Sequence, residues 1–162
     1  MSAGNRAIWF NKKHPLCYYI DIRPEVNPDE VVDSTDLSSF PNDWYDLIVF
    51  DPPHVNFGKN GKMSKNYGHH TTEQIRQIIK GSAKEAHRVS KKNALMAFKW
   101  NNHDQKLERI LSLMPQWEPL FGHLAKDGPR SQTFWVMLRR LNSVYPELTK
   151  PQTPSRPLGR EE

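Results

Sequence analysis

"YDLIVFDPPH", residues 45–54, joins an apolar, β-branched run to an aspartate, two prolines and a histidine. The run "WYDLIVF" (44–50) reads as a buried strand. Asp51, Pro52 and Pro53 stop it, because proline has no backbone donor and fixes its own φ. Asp-Pro-Pro is also a common way to end a strand. Here an apolar strand stands directly before it and an aromatic ring directly after it, which favours a chemical role.

Outward from this stretch the chain alternates between strand and helix patterns. "LCYYIDI" (16–22) is a short apolar run bounded by prolines, and "VVDSTDL" (31–37) reads as a second strand and its exit. After the tetrapeptide, residues 55–70 form a loop rich in Gly, Asn and Lys, a composition and length that suit function. Thr71 or Thr72 caps a helix over 73–90, whose apolar stripe runs through Ile75, Ile78, Ile79, Ala83, Ala86 and Val89. "ALMAFKW" (94–100) is strand four, residues 103–114 a second amphipathic helix, and "WEPLFGHL" and "TFWVMLRR" a closing strand pair. This order predicts an α/β fold on a mostly parallel sheet with a C-terminal antiparallel strand. Residues 1–15 read as an irregular basic and aromatic arm, 16–143 as one domain, and 144–162 as a disordered proline-rich tail.

In such sheets ligands bind outside the carboxyl ends of the strands. Asp21, Asp33, Asp51 and the segment Lys99-Trp100-Asn101 all fall at those ends. An exocyclic amino group of adenine or cytosine is a poor nucleophile, since its lone pair is delocalised into the ring. Two acceptors on its hydrogens localise that pair. Asp51 offers a carboxylate oxygen, and Pro52 offers a carbonyl held in place by proline's restricted backbone. Pro53 stiffens the turn further, and His54 offers a planar ring on which a base stacks once it has left its helix.

Composition limits the alternatives. The chain has 162 residues, 36% of them apolar, and a net charge of +5. The sequence pI is about 9.4 and the mean hydropathy −0.77. The charge favours an anionic partner without identifying one. Lys59, Lys62 and Lys65 flank the expected pocket and are the best phosphate contacts. Cys17 is the only cysteine, so no internal disulfide and no cysteine-based zinc site forms, and in a buried strand it acts as a small hydrophobe. His54 with His69 and His70 is a poor metal set, because adjacent histidines point apart. No apolar run is long enough to span a membrane. The expectation is a chain in a reducing, cytoplasmic compartment, without metal, as a monomer or homodimer.

The motif order "YYIDIRPE", "VVDSTDL", "YDLIVFDPPH", "YG", "ALMAFKWN" resembles the class I S-adenosylmethionine-dependent methyltransferases. More narrowly it is similar to the small phage and bacterial amino-group methyltransferases that carry Asp-Pro-Pro-His, over about residues 14–140. The resemblance implies a Rossmann-like methyltransferase sheet and methylation of a nucleobase amino group, adenine N6 first. It implies that Asp21 holds the cofactor's ribose and Asp33 its adenine amino group. Asp51, Pro52, Pro53 and His54 match the catalytic tetrapeptide, and Tyr67-Gly68 the loop over the target. Lys99, Trp100 and Asn101 match a segment near the meeting point of donor and target. The family's first strand and Gly-rich turn are missing here, and Asn11 and His14 in the arm are the candidate replacements. A protein-amide methyltransferase usually carries Asn at the position of Asp51, which argues against that class. A non-catalytic partner subunit with a relic pocket is the third possibility, and cofactor binding separates it from an enzyme.

Overall fold

The computed structural model describes residues 1, 4–54, 70–126, 128 and 131–142. Strands β1 (Ile20–Asp21) and β2 (Glu30–Val31) pair in parallel as a small two-stranded sheet. Strands β3 (Tyr45–Phe50), β4 (Ser90–Asn101), β5 (Trp117–Lys126) and β6 (Thr133–Arg140) form a second sheet in the order β3-β4-β6-β5. Helix α1 (Thr72–Val89) precedes β4, and helix α2 (Leu107–Leu111) follows it.

The larger sheet is mixed rather than mostly parallel. β1–β2 and β3–β4 pair in parallel, whereas β4–β6 and β5–β6 pair antiparallel. The returning strand β6 inserts between β4 and β5, so the longest ladders in the molecule are antiparallel. The predicted strands 16–22 and 31–37 contract to two residues each. Pro24 and Pro28 lie between them, the Asp29 side chain takes the Tyr19 N–H at 2.7 Å, and the Tyr19 carbonyl accepts from Asp29 N–H. Cys17 accordingly lies half-buried in a turn, its N–H bonded to the His14 carbonyl, and not in a buried strand.

Helix α1 begins where expected. The Thr71 hydroxyl accepts the Gln74 N–H at 3.2 Å while the Gln74 side chain accepts the Thr71 N–H at 2.8 Å, a reciprocal capping box. Its buried stripe is Ile75, Ile79, Ser82, Ala83, Ala86 and Val89. Ile78 is only half-buried. Ser82 replaces an apolar residue in that stripe because its hydroxyl bonds Ser34 at 2.7 Å, both side chains being buried. Beside it, a Cβ on Gly81 would meet the Thr35 side chain at 3.1 Å, so the loop after β2 lies directly on the helix. Arg88 ties the next loop down by donating to the carbonyls of Leu37 and Phe40, and Glu85, one turn before it in the helix, holds its guanidinium and accepts the Leu37 N–H.

The second helix was expected over 103–114 and spans only Leu107–Leu111. Side chains compete for the backbone before it: Asn101 Oδ1 accepts the His103 N–H and Asn102 Oδ1 the Leu107 N–H.

One core cluster contains the buried apolar residues of both helices together with Ile48, Phe50, Met96, Phe98, Trp100, Val136 and Leu138 from the sheet. Phe98 stacks on Trp100 with centroids 6.1 Å apart, and Phe50 tilts onto Phe98 at 5.7 Å. Burying a phenylalanine side chain contributes about 1.5–3 kcal/mol, so this ring column anchors the ends of β3 and β4. The alternate residues point to the other face. There Leu47, Leu95 and Phe121 are 52%, 36% and 69% exposed.

Candidate active site

The parallel register Phe50↔Phe98 carries Asp51 opposite Lys99, on the face away from α1. Lys99 Nζ donates to Asp51 Oδ2 at 2.7 Å, with about a quarter of each side chain exposed (25% for Asp51, 23% for Lys99). Asp51 Oδ1 faces His54 Nδ1 at 3.9 Å, too far for a hydrogen bond. His54 Nδ1–H instead donates to the Pro52 carbonyl at 3.0 Å. The His54 ring meets Trp100 edge-on, with centroids 6.1 Å apart. Pro52 is fully buried beneath this turn, and Pro53 is half-buried.

The bond to Pro52 settles the His54 tautomer for the neutral ring: Nδ1 carries the proton and Nε2 is bare. Burial lowers the His54 pKa below its ordinary value, and Lys99 lowers it further. The carboxylates of Asp51 and Asp104 and the Pro52 bond act in the opposite direction without cancelling the burial. At neutral pH the ring is uncharged.

Asp104 belongs to this site and escaped the sequence reading. It follows β4, accepts from His103 Nδ1 at 2.8 Å, and its charge is felt by His54. Next to it Gln105 is 5% exposed; its carbonyl accepts the Trp100 indole N–H at 2.9 Å and its Oε1 accepts Arg76 Nε at 2.9 Å. The available signal was the unbroken polar run "NNHDQ" after an apolar strand. Such a run is the composition of a strand-end loop and a poor first turn for an amphipathic helix.

Lys99 lies in the site, but its two neighbours serve the scaffold. Trp100 is fully buried, and Asn101 Nδ2 donates to Thr133 Oγ1 at 2.8 Å, locking β4 to β6.

At the other strand ends the acids differ. Asp21 is 4% exposed. Oδ1 accepts Arg23 N–H and Arg23 Nε, both at 3.0 Å; Oδ2 accepts Gly4 N–H at 2.8 Å and Arg23 Nη2 at 3.4 Å. Burial by itself would raise the Asp21 pKa, but the bonds from Arg23 and Gly4 together hold it below its ordinary value. Asp33 is exposed; its Oδ1 accepts the N–H and hydroxyl of Thr35 at 2.8 and 2.9 Å. It lines a cleft of about 350 Å³ with Thr35, His70, Gln74, Gln77 and Ile78.

Asn11 and His14 are exposed in the arm and make local turns: Asn11 Oδ1 accepts Lys13 N–H, and His14 Nδ1 accepts Leu16 N–H. The arm itself wraps Tyr19, with the Arg6 guanidinium 4.0 Å from its ring centre and Trp9 edge-on at 5.1 Å. Met1 N donates to the Val49 carbonyl at 2.8 Å on the edge of β3. Tyr67, Gly68, Lys59, Lys62, Lys65, His69 and the tail from residue 144 lie outside the described residues.

An S-adenosyl cofactor fits these residues in part. Asp33 lines the cleft together with Ile78 and uses Oδ1 for Thr35, a combination of acceptor and apolar wall that suits an adenine amino group. Asp21 has all four of its acceptor positions engaged by the chain itself and does not suit ribose hydroxyls in this arrangement. Among the described residues no three His, Cys, Asp or Glu side chains form a metal-binding group, and no helix is long and apolar enough to cross a membrane.

No protein-family model matches the sequence, and no curated protein matches it. Two solved structures of the N-methyltransferase NodS from Bradyrhizobium japonicum WM9 are similar in shape. The first has a TM-score of 0.47 and 12% identity, covering 75% of this chain and 71% of that one. The second, in complex with S-adenosyl-L-homocysteine, has a TM-score of 0.49 and 13% identity, covering 75% of this chain and 64% of that one. Likeness at this level assigns neither a reaction nor a ligand to this chain.

Proposed function

We propose that the chain is an S-adenosylmethionine-dependent methyltransferase acting on the exocyclic amino group of a nucleobase in RNA or DNA, adenine N6 before cytosine N4. The observation that supports it best is the pair of acceptors after β3: Asp51 Oδ1, which receives no hydrogen bond from the described residues, and the second lone pair of the Pro52 carbonyl. S-adenosylmethionine would supply the methyl group from its sulfonium, the sulfur–methyl bond breaking as the new bond forms and the neutral thioether S-adenosylhomocysteine leaving.

The protein's part is positional and electrostatic. Asp51 Oδ1 accepts one amino hydrogen of the target and Pro52 O the other, which draws the nitrogen toward a tetrahedral shape and localises its lone pair. Lys99 clamps Oδ2 and so aims Oδ1. Positive charge that develops on the nitrogen as its new bond to carbon forms is stabilised by the adjacent carboxylate. One N–H proton then leaves along the hydrogen bond to Asp51 or to water. His54, uncharged and fixed through Nδ1, offers its face to the base. Asp33 takes the cofactor's adenine, and Asp21 takes the ribose only if Arg23 and Gly4 release it. Tyr67, Gly68 and the loop lysines Lys59, Lys62 and Lys65 are assigned to the target side from sequence.

A second reading, a partner subunit with a relic pocket, draws on one observation: the closed hydrogen-bond shell of Asp21. Calorimetric titration with S-adenosylmethionine, then tritiated-methyl transfer onto total RNA and genomic DNA, decides between them. Binding with transfer to one pool is the expected result. No binding at millimolar cofactor would end the enzyme reading and favour the second.

A further inference from the structure

The sheet face opposite α1 carries a second feature next to Asp51. The register places Lys99, Trp135 and His123 side by side across β4, β6 and β5, all on that face. The adjacent rows are Ala97, Met137, Phe121 and, toward the strand end, Asn101, Thr133, Lys126. Phe121 is 69% exposed, His123 and Lys126 are exposed, and Trp135 is half-buried. Both described helices bury their apolar residues on the other side of the sheet.

We propose that this row of rings is a stacking platform for the unpaired nucleotides that flank the target base, an inference that rests on the nucleic-acid reading of the Asp51 site. Three observations converge on it. The platform is continuous with that site, because Lys99 belongs to both. Neighbouring strands lie about 4.8 Å apart, so the row runs about 14 Å from the strand of Asp51 to His123, a reach suited to neighbours of an extruded base. Its composition is aromatic with lysine: π-faces stack on any base and the ammonium group of Lys126, exposed at the strand end, meets phosphate, whereas lysine is depleted where proteins bind proteins.

Binding without methyl donor tests this separately from catalysis. Fluorescein-labelled oligoadenylates about eight nucleotides long, as RNA and as DNA, are titrated against the whole chain by anisotropy. Phe121→Leu and Trp135→Leu are expected to weaken binding about 5- to 150-fold each, the loss of one stacked base, while Phe121→Tyr retains it. Phe121 is too exposed for its own replacement to unfold the sheet, and urea denaturation checks that half-buried Trp135→Leu keeps its fold. Leucine variants that bind like the native protein, or a native protein that does not bind, overturn the platform. So does a dimer that Phe121→Asp dissociates while oligonucleotide affinity holds, since the face would then join two copies of the chain. Ring-dependent binding without methyl transfer would leave the platform standing and remove the reaction; transfer to free adenosine monophosphate with no gain from flanking nucleotides would do the reverse.

Discussion

Asp21 and Asp51 both stand at the carboxyl end of a parallel strand, and the fold treats them in opposite ways. Asp21 is buried and surrounded by donors from its own chain, Gly4 and Arg23. Asp51 is a quarter exposed and held by one lysine through one oxygen, and among the described residues nothing donates to the other. The strand-end position alone therefore does not make an acid functional. What matters is how many of its lone pairs the folded chain leaves uncommitted.

Breaking the Asp51 side of this contrast has the largest expected effect. Asp51→Ala lowers methyl transfer about 100- to 1,000-fold, as loss of a preorganised electrostatic partner does elsewhere. Its affinity for S-adenosylmethionine by calorimetry stays near the native value; full activity in the variant would remove the mechanism. Asp21→Asn acts on the fold instead. It leaves Arg23 and the Gly4 N–H with a weaker partner and costs about 2–3 kcal/mol, read by urea denaturation. A variant of native stability would mean that the Arg23–Gly4 shell contributes little and that Asp21 is free to bind ligand.

Lys99→Met sharpens the contrast further. With the clamp on Oδ2 gone, Asp51 swings among rotamers, and kcat falls about tenfold while KM for the nucleic acid moves much less. An effect confined to KM would make Lys99 a phosphate contact. The smallest effect is the pH dependence carried by His54, which faces Asp51, Lys99 and Asp104. Its folded pKa lies below the ordinary value near 6.5, so as pH drops below about 6.5 the unfolded chain takes up a proton that the folded chain resists. Stability therefore declines until pH passes the folded value, and His54→Gln flattens that slope in urea melts across the acid range. A variant with the native slope would show that His54 is not the group responsible.

The regions legible in the sequence were those in which each residue's preference and its packing agree. Tyr45–Phe50 is β-branched and apolar, Thr71 and Gln74 spell a capping box, and the stripe from Ile75 to Val89 has one period. Asp51 and His54 were legible for the same reason, because prolines fix their backbone locally. Long-range pairing was less so. Nothing local marks β6 as the strand that inserts between β4 and β5, and that insertion changes the balance from parallel to antiparallel. The Lys99–Asp51 bond joins residues 48 apart in sequence and exists only through register. Asp21 is the instructive case: Arg23 sits two residues away in plain view, yet whether a neighbouring cation turns inward or outward depends on burial, which composition does not reveal.

The edge contact between His54 and Trp100 turns the site into its own optical probe. A protonated imidazole quenches a nearby indole far more strongly than a neutral one, and Trp100 is sealed from solvent, so its emission responds to its ring neighbours rather than to water. Trp117 meets His87 in the same geometry and Trp135 stands beside His123, which makes His87→Gln with His123→Gln the background in which to read the Asp51 site. In that background a base laid against His54, or a proton added to it, is recorded as a change in light without any label attached to the protein.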